Sequence, residues 1–344
     1  MIKLYTDQSF LTETYRRQVF PLLFDLVYKK NEDLLLFYKI VDKVEDADII
    51  VFPIDYSQFI KHKEAFHSLL QLAKTNNKTI WIYTAGDYGF TNYISNSHTF
   101  RLGGFNSKLS DATFVIPSFI NDPYLEQLPQ GFSTLKKEKQ PSIGFVGHAK
   151  SGAPKYVKEY VNHLKYSIKR ALKKLLADRQ TFYPSSIKRS HYLLKLSDNK
   201  DLNTQFIFRD SYRAGAITKE QQQTSTQLFY DNMFNTAYNF CIRGVGNFSV
   251  RFYETLAVGR IPILLNTDCR LPFSDSINWK KHCVMLDENS EMSLEQQIID
   301  FHNNLNENEF ESLQKSNRDL WLNHLKRESY FKEIYNQFKS KSDV

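Results

Sequence analysis

The stretch Tyr238–Leu265, YNFCIRGVGNFSVRFYETLAVGRIPILL, constrains the fold of this chain more than any other. It reads as a strand, a glycine-bearing turn, a short helix, a glycine stop and a second strand. Gly244 and Gly246 let the backbone approach a ligand and are expected to take up positive φ. Ser249 suits the N-cap of the helix and Gly259 its C′ position, so the spacing predicts a helix between them. A helix start behind a glycine turn aims free N–H groups and a positive dipole end at an anion. Arg251 and Glu254 lie three residues apart and share a helix face. The guanidinium can neutralise diphosphate oxygens, bidentately where geometry allows. The carboxylate can accept hydrogen bonds from two ribose hydroxyls. An ordinary intrahelical Arg–Glu pair, worth a few tenths of a kcal/mol, explains the same spacing, so the residues alone leave both readings open.

The rest of the chain repeats the strand–helix alternation that argues for parallel, doubly wound α/β sheets. Ile2–Tyr5, Ala47–Pro53, Thr79–Tyr83 and Ala112–Pro117 read as strands, with helices over Arg16–Tyr28 and Gln58–Thr75. Ala47–Pro53 is a continuous β-branched and aromatic run, the mark of a buried parallel strand. A Lys-rich polar stretch, Ser133–Ser142, reads as an interdomain linker. Beyond it, Ile143–Val146 enters a turn containing Gly147. A helix over Pro154–Leu176 follows, with Val157, Val161, Leu164 and Ile168 on one face and lysines on the other. Phe206–Phe208 is a further strand, Thr226–Thr236 a helix, and Leu294–Leu305 and Glu309–Phe338 are terminal helices. The expected organisation is a first domain over 1–138, a second over 139–325, and a last helix over 326–344 packing back on the first.

With 344 residues, 42% apolar and 15% aromatic, the chain can bury two cores. Its net charge is +7, but Ser151–Ser190 holds ten Lys or Arg against two acids, which leaves the remainder at −1. Basic character belongs to one segment, not to the whole surface. Cys241, Cys269 and Cys283 are odd in number and lack CxxC spacing, so three reduced thiols are expected rather than a disulfide framework or a zinc site. No apolar run approaches the roughly 20 residues of a membrane span, and MIKLYTDQSF lacks a signal-peptide layout. A cytoplasmic protein is expected.

Tyr238–Val284 resembles the C-terminal signature of the exostosin family of glycosyltransferases. The resemblance is carried by Phe240-Cys241, Arg243-Gly244, Ser249, Arg251-Phe252, Glu254, Ile261-Pro262, Leu271–Ser274 and Ile277–Trp279. Looser matches are the strand Asp46–Pro53 and the acidic turn Gly86-Asp87-Tyr88-Gly89. Ile242 stands where the family often has proline, and Gly246-Asn247 replaces a more basic turn. The resemblance implies a GT-B architecture, two Rossmann-like domains facing a cleft with the donor held by the second. It also implies an inverting glycosyltransferase using a nucleotide sugar, UDP-linked in the expected case, as co-substrate. Asp46-Ala-Asp48 fits a metal-binding DxD pattern but sits at the wrong end of a buried strand for a ligand, so no metal site is assigned.

Arg243, Gly244, Ser249, Arg251 and Glu254 are therefore the donor-binding candidates, joined by Gly147 and by Arg209 and Arg213 after the Phe206–Phe208 strand. They supply preorganised charge for a leaving diphosphate without a metal. Inversion calls for one general base on the acceptor side. Asp87 is the first candidate and Asp55 the second, each at the carboxyl end of a strand; His98 and His148 rank below them. The acceptor would be a glycan or lipid-linked glycan, with peripheral membrane contact through the basic helix and no nucleic acid bound. Two rivals remain at this stage: a non-catalytic nucleotide-sugar-binding protein, and a nucleic-acid-binding protein using the helix 154–176.

Overall fold

The computed structural model describes residues 1–209, 215 and 217–342. Its first sheet contains β1 (Ile2–Tyr5), β2 (Tyr38–Ile40), β3 (Ile49–Val51), β4 (Thr79–Thr84), β5 (Ser97–Arg101) and β6 (Thr113–Val115), in the order β2-β1-β3-β4-β5-β6. The second contains β7 (Ser142–His148), β8 (Asn203–Arg209), β9 (Tyr238–Cys241), β10 (Ile261–Leu265) and β11 (Val284–Leu286), in the order β11-β10-β9-β7-β8. Every pairing in both is parallel. Counted from its own first strand, the first sheet runs 2-1-3-4-5-6 and the second 2-1-3-4-5, doubly wound orders that each reverse direction once. The reversal falls between β1 and β3 in one half and between β7 and β9 in the other. These two Rossmann-like halves make the GT-B architecture.

The central strands are apolar because helices cover both faces. All residues of β3, β9 and β10 are buried. Helix Val250–Val258 runs between the last two, with Ser249 at its N-cap and Gly259 at φ 73° after it, as the caps predict. Two strands have weaker sequence signals. β2 has only three residues, and β5 (SHTFR) is mostly polar, its Arg101 buried and ion-paired to Asp178 at 2.7 Å.

Three expected helices differ. Arg16–Tyr28 is helical only from Pro21, because Val19 bridges Ile54 and the Phe20 N–H donates to Pro53 O. Glu309–Phe338 divides into Glu307–Leu320, a π turn over Trp321–Leu325, and Arg327–Ser342. Lys326, extended at ψ 156°, separates the last two and turns the final helix back. Tyr330, Phe331 and Ile334 then enter the core of the first sheet, where Tyr38 Oη donates to Phe331 O at 2.7 Å. The basic helix ends at Ala171, and its apolar stripe faces solvent. Tyr166 on the opposite face is its buried residue.

The halves meet along the loops that follow β5, β9 and β10. Phe105 forms an antiparallel bridge with Cys269. Ser107 Oγ donates to Asp268 at 2.6 Å, and Arg270 donates to Asn106 Oδ1 at 2.7 Å and Ser110 O at 2.8 Å. Asn247 Nδ2 reaches Gly104 O at 3.1 Å. The cleft is therefore closed at one side by polar contacts and lies over the carboxyl ends of both sheets.

Candidate donor site at the second switch point

Where β7 and β9 diverge, the chain delivers arginines from four different elements. Arg243 follows β9, Arg251 lies in the first turn of helix Val250–Val258, Arg209 ends β8, and Arg189 comes from helix Ser185–Ser197. Arg251 Nη2 donates to Val146 O at 2.7 Å, and its guanidinium lies 4.0 Å from the Phe145 ring centroid. Gly147 makes room for it: a Cβ there would stand 3.0 Å from Arg251 Nη2. Arg243 is 3% exposed, bonds Val245 O at 2.9 Å and covers the Tyr183 ring at 4.6 Å. Arg189 donates to His148 O at 2.8 Å, and Arg209 to Ser225 O at 2.6 Å.

None of these four guanidiniums has a carboxylate within 4.0 Å among the described residues, whereas Arg101, Arg318 and Arg327 elsewhere are ion-paired. Among the described residues, the buried Nε atoms of Arg189, Arg243 and Arg251 have no hydrogen-bond partner, nor has the Tyr183 hydroxyl beside them. Buried donors are ordinarily satisfied, and a buried charge without a counter-charge is costly. Burial, and then the neighbouring Arg251 charge, pushes Arg189 down to about 10. Burial also lowers Arg209, Arg243 and Arg251. An anion placed among them would remove that cost.

Ser249 stands at the N-cap with no cap hydrogen bond from its own side chain, so helix Val250–Val258 starts without a side-chain cap. Ser249 and Arg243 line a small, narrow pocket together with Phe252, Leu264 and Leu271. Glu254 and Arg251 interact electrostatically on one helix face. Burial pushes the Glu254 carboxyl up to about 7 against the pull of Arg251. The expectation of positive φ at Gly244 and Gly246 is corrected, since neither is left-handed. Gly244 faces open space. Gly246 is required by close approach: a Cβ there would lie 2.0 Å from the Asp87 carbonyl oxygen.

That contact brings Asp87 across the cleft onto the glycine turn. Its side chain is exposed and accepts no hydrogen bond among the described residues, and the surrounding protein raises its pKa by desolvation. Asp55 is placed differently. It is buried, its Oδ1 accepts from the Ala85 N–H at 2.7 Å and its Oδ2 from the Ser57 hydroxyl, so both oxygens brace the loops after β3 and β4. His148 turns Nδ1 to Arg209 O at 3.1 Å, and His98 packs on Phe114 and Phe338 within the first half. Asp48 takes the Lys3 N–H at the amino end of β3, away from the cleft. Arg213 lies outside the described residues. Arg189 and Tyr183 were not singled out in the sequence. Their one signal is the basic surplus of residues 151–190, which does not say which of ten cations turns inward.

The Exostosin GT47 domain matches residues 39–298 of this chain. A probable glucuronosyltransferase, GUT1 of Oryza sativa subsp. japonica, is 34% identical over 62 residues, a stretch covering 18% of this chain and 15% of the rice protein. Among solved structures, TarM aligns at 11% identity with a TM-score of 0.36, covering 84% of this chain and 54% of TarM. An α1,3-fucosyltransferase aligns at 10% identity and a TM-score of 0.34, covering 92% of this chain and 82% of its own. The domain match takes in the acidic turn at Asp87, the glycine turn and the helix bearing Arg251 and Glu254, and it extends over more than half of the sequence: the chain belongs to the Exostosin GT47 family of glycosyltransferases.

Proposed function

We propose that the protein transfers a sugar from a nucleoside-diphosphate donor, UDP-linked, to a hydroxyl of a glycan acceptor, with inversion and without a metal ion. The observation that carries this reading is the set of four guanidiniums at the second switch point with no carboxylate partner among the described residues. A diphosphate supplies the missing charge, and more of it develops on the leaving oxygen as the glycosidic bond breaks. Preorganised donors aimed at that charge stabilise the transition state. Arg251, Arg243, Arg189 and Arg209 take this role together with the N-terminus of helix Val250–Val258, while Glu254 receives the ribose hydroxyls.

In the transfer step the acceptor oxygen attacks the anomeric carbon from the face opposite the diphosphate. The new C–O bond forms as the old one breaks, and the bonding pair leaves with the nucleoside diphosphate. The acceptor proton passes to Asp87. Its carboxylate is the better placed of the two candidates, because Asp55 already accepts bonds on both oxygens.

The test is product analysis by mass spectrometry with a panel of nucleotide sugars, UDP-glucuronate among them, in the presence of EDTA. Transfer from one donor in EDTA supports the whole reading. Activity lost in EDTA and restored by manganese or magnesium overturns the metal-free part. Donor binding with neither transfer nor hydrolysis would make the protein a sensor instead of an enzyme.

A further inference from the structure

Helix Ala153–Ala171 is built the wrong way round for a helix that packs on its own protein. Val157, Val161, Leu164, Ile168 and, just past its end, Leu172 recur at intervals of three and four residues, which places them on one face. Each is between 39 and 59% exposed. Tyr166, two residues from both Leu164 and Ile168, lies on the opposite face and anchors the helix. Its ring packs on Tyr88 at 4.4 Å, and its hydroxyl donates to Asp178 O. The apolar stripe therefore points away from the body of the protein.

Charge borders the stripe. Lys158, Lys165 and Lys169 each follow a stripe residue by one position, about 100° round the helix, and all three are exposed. Lys173 and Lys174 continue the exposed basic surface beyond the helix end. An apolar face flanked by lysines, with the amines at the level where the apolar side chains enter, matches the boundary between acyl chains and anionic headgroups. Nucleic acid would leave the valines and leucines uncovered, and a second copy would bring the same lysines together.

We propose that this helix docks the protein on an anionic lipid surface, with Val157, Val161, Leu164, Ile168 and Leu172 inserted and Lys158, Lys165 and Lys169 at the headgroups. The buried face of the same helix rests on Tyr88, next to Asp87, so docking holds the acidic turn about one helix diameter, roughly 10 Å, from the membrane. A sugar acceptor carried on a lipid would then be presented to the cleft; this consequence, unlike the docking, rests on the glycosyltransferase reading.

The full chain is tested by sedimentation with vesicles of phosphatidylcholine, with and without phosphatidylglycerol. Binding is expected to the anionic vesicles alone and to weaken as salt shortens the screening length from about 10 Å at 0.1 M to about 3 Å at 1 M. Ile168→Glu should abolish it without lowering the melting temperature, since the side chain is already exposed. Lys165→Gln should weaken it about fivefold. Leu164→Trp should show a blue shift of its emission on adding anionic vesicles. Wild-type protein left in the supernatant, or Ile168→Glu sedimenting like wild type, overturns the proposal. So does a dimer in light scattering that Ile168→Glu dissociates while vesicles go unbound, or capture of an oligonucleotide without capture of vesicles. Titration of UDP into Ile168→Glu in solution separates the two readings: unchanged affinity with lost vesicle binding assigns the helix to the membrane alone.

Discussion

The two halves of this protein share one strand order and use its reversal point differently. In the first half, Thr6 Oγ1 donates to Val51 O at 2.8 Å across the gap between β1 and β3, while Val19 bridges Ile54 and Phe20 bonds Pro53. The loop after β1 also lines an open pocket with Asp42, Ser68 and Leu72, and no Lys or Arg is among its lining residues. In the second half, the gap between β7 and β9 receives Arg189, Arg243 and Arg251, whose Nε atoms have no partner among the described residues. A doubly wound sheet opens a crevice wherever its order reverses, but the crevice becomes a ligand site only where its groups are left wanting a partner. The first half contributes the turn bearing Asp87, whose backbone carbonyl reaches across the cleft to Gly246.

This contrast can be broken at four places. The largest expected effect is at the contribution of the first half. Asp87→Asn should lower turnover roughly 10²–10⁴-fold, the usual cost of losing a general base, with donor affinity nearly unchanged. Near-normal turnover in a folded variant would move the base elsewhere. Next comes the anion cluster. Arg251→Ala should weaken UDP by about 1.5–3 kcal/mol, the scale of hydrogen bonds to charged groups, and leave uridine almost unaffected in calorimetry. Equal losses for both would make the arginine structural.

Glu254→Gln should cost about 1–2 kcal/mol in affinity for the nucleotide, and unaltered affinity would remove the ribose role. It carries a pH signature as well. Because burial raises Glu254 from 4.5 to about 7, the folded state holds its proton more tightly than the unfolded chain. The stability this provides is fully present below about pH 4.5 and lost as pH rises through 7. The Gln variant should therefore melt above wild type at pH 8 and level with it near pH 4. A constant offset across that range would contradict the assignment. The smallest effect is the control: Thr6→Val loses a bond to Val51 at the first switch point and should leave UDP affinity unchanged in the same calorimetry. A weakened affinity would show that the first switch point also contributes to the donor site.

The sequence by itself determined the elements whose signals are local. The helix between Ser249 and Gly259 appears with those caps, because capping depends on neighbouring residues only. β3, β9 and β10 were legible as apolar runs, and the terminal segment was expected to return to the first half, as Tyr330 and Phe331 do. Arg243, Arg251 and Glu254 became candidates through the resemblance to a family signature, since their spacing alone left the Arg251–Glu254 pair open to two readings. Tertiary structure decided everything that depends on residues distant in the chain. Arg189 enters the cluster from a helix more than fifty positions before Arg243. Gly246 is glycine because a carbonyl from residue 87 presses on it, a reason no dihedral preference reveals. Periodicity located the apolar stripe of helix Ala153–Ala171 but not its direction. A repeat of 3.6 residues says which side chains share a face, and only the packing of the remaining chain decides whether that face meets the core or the solvent.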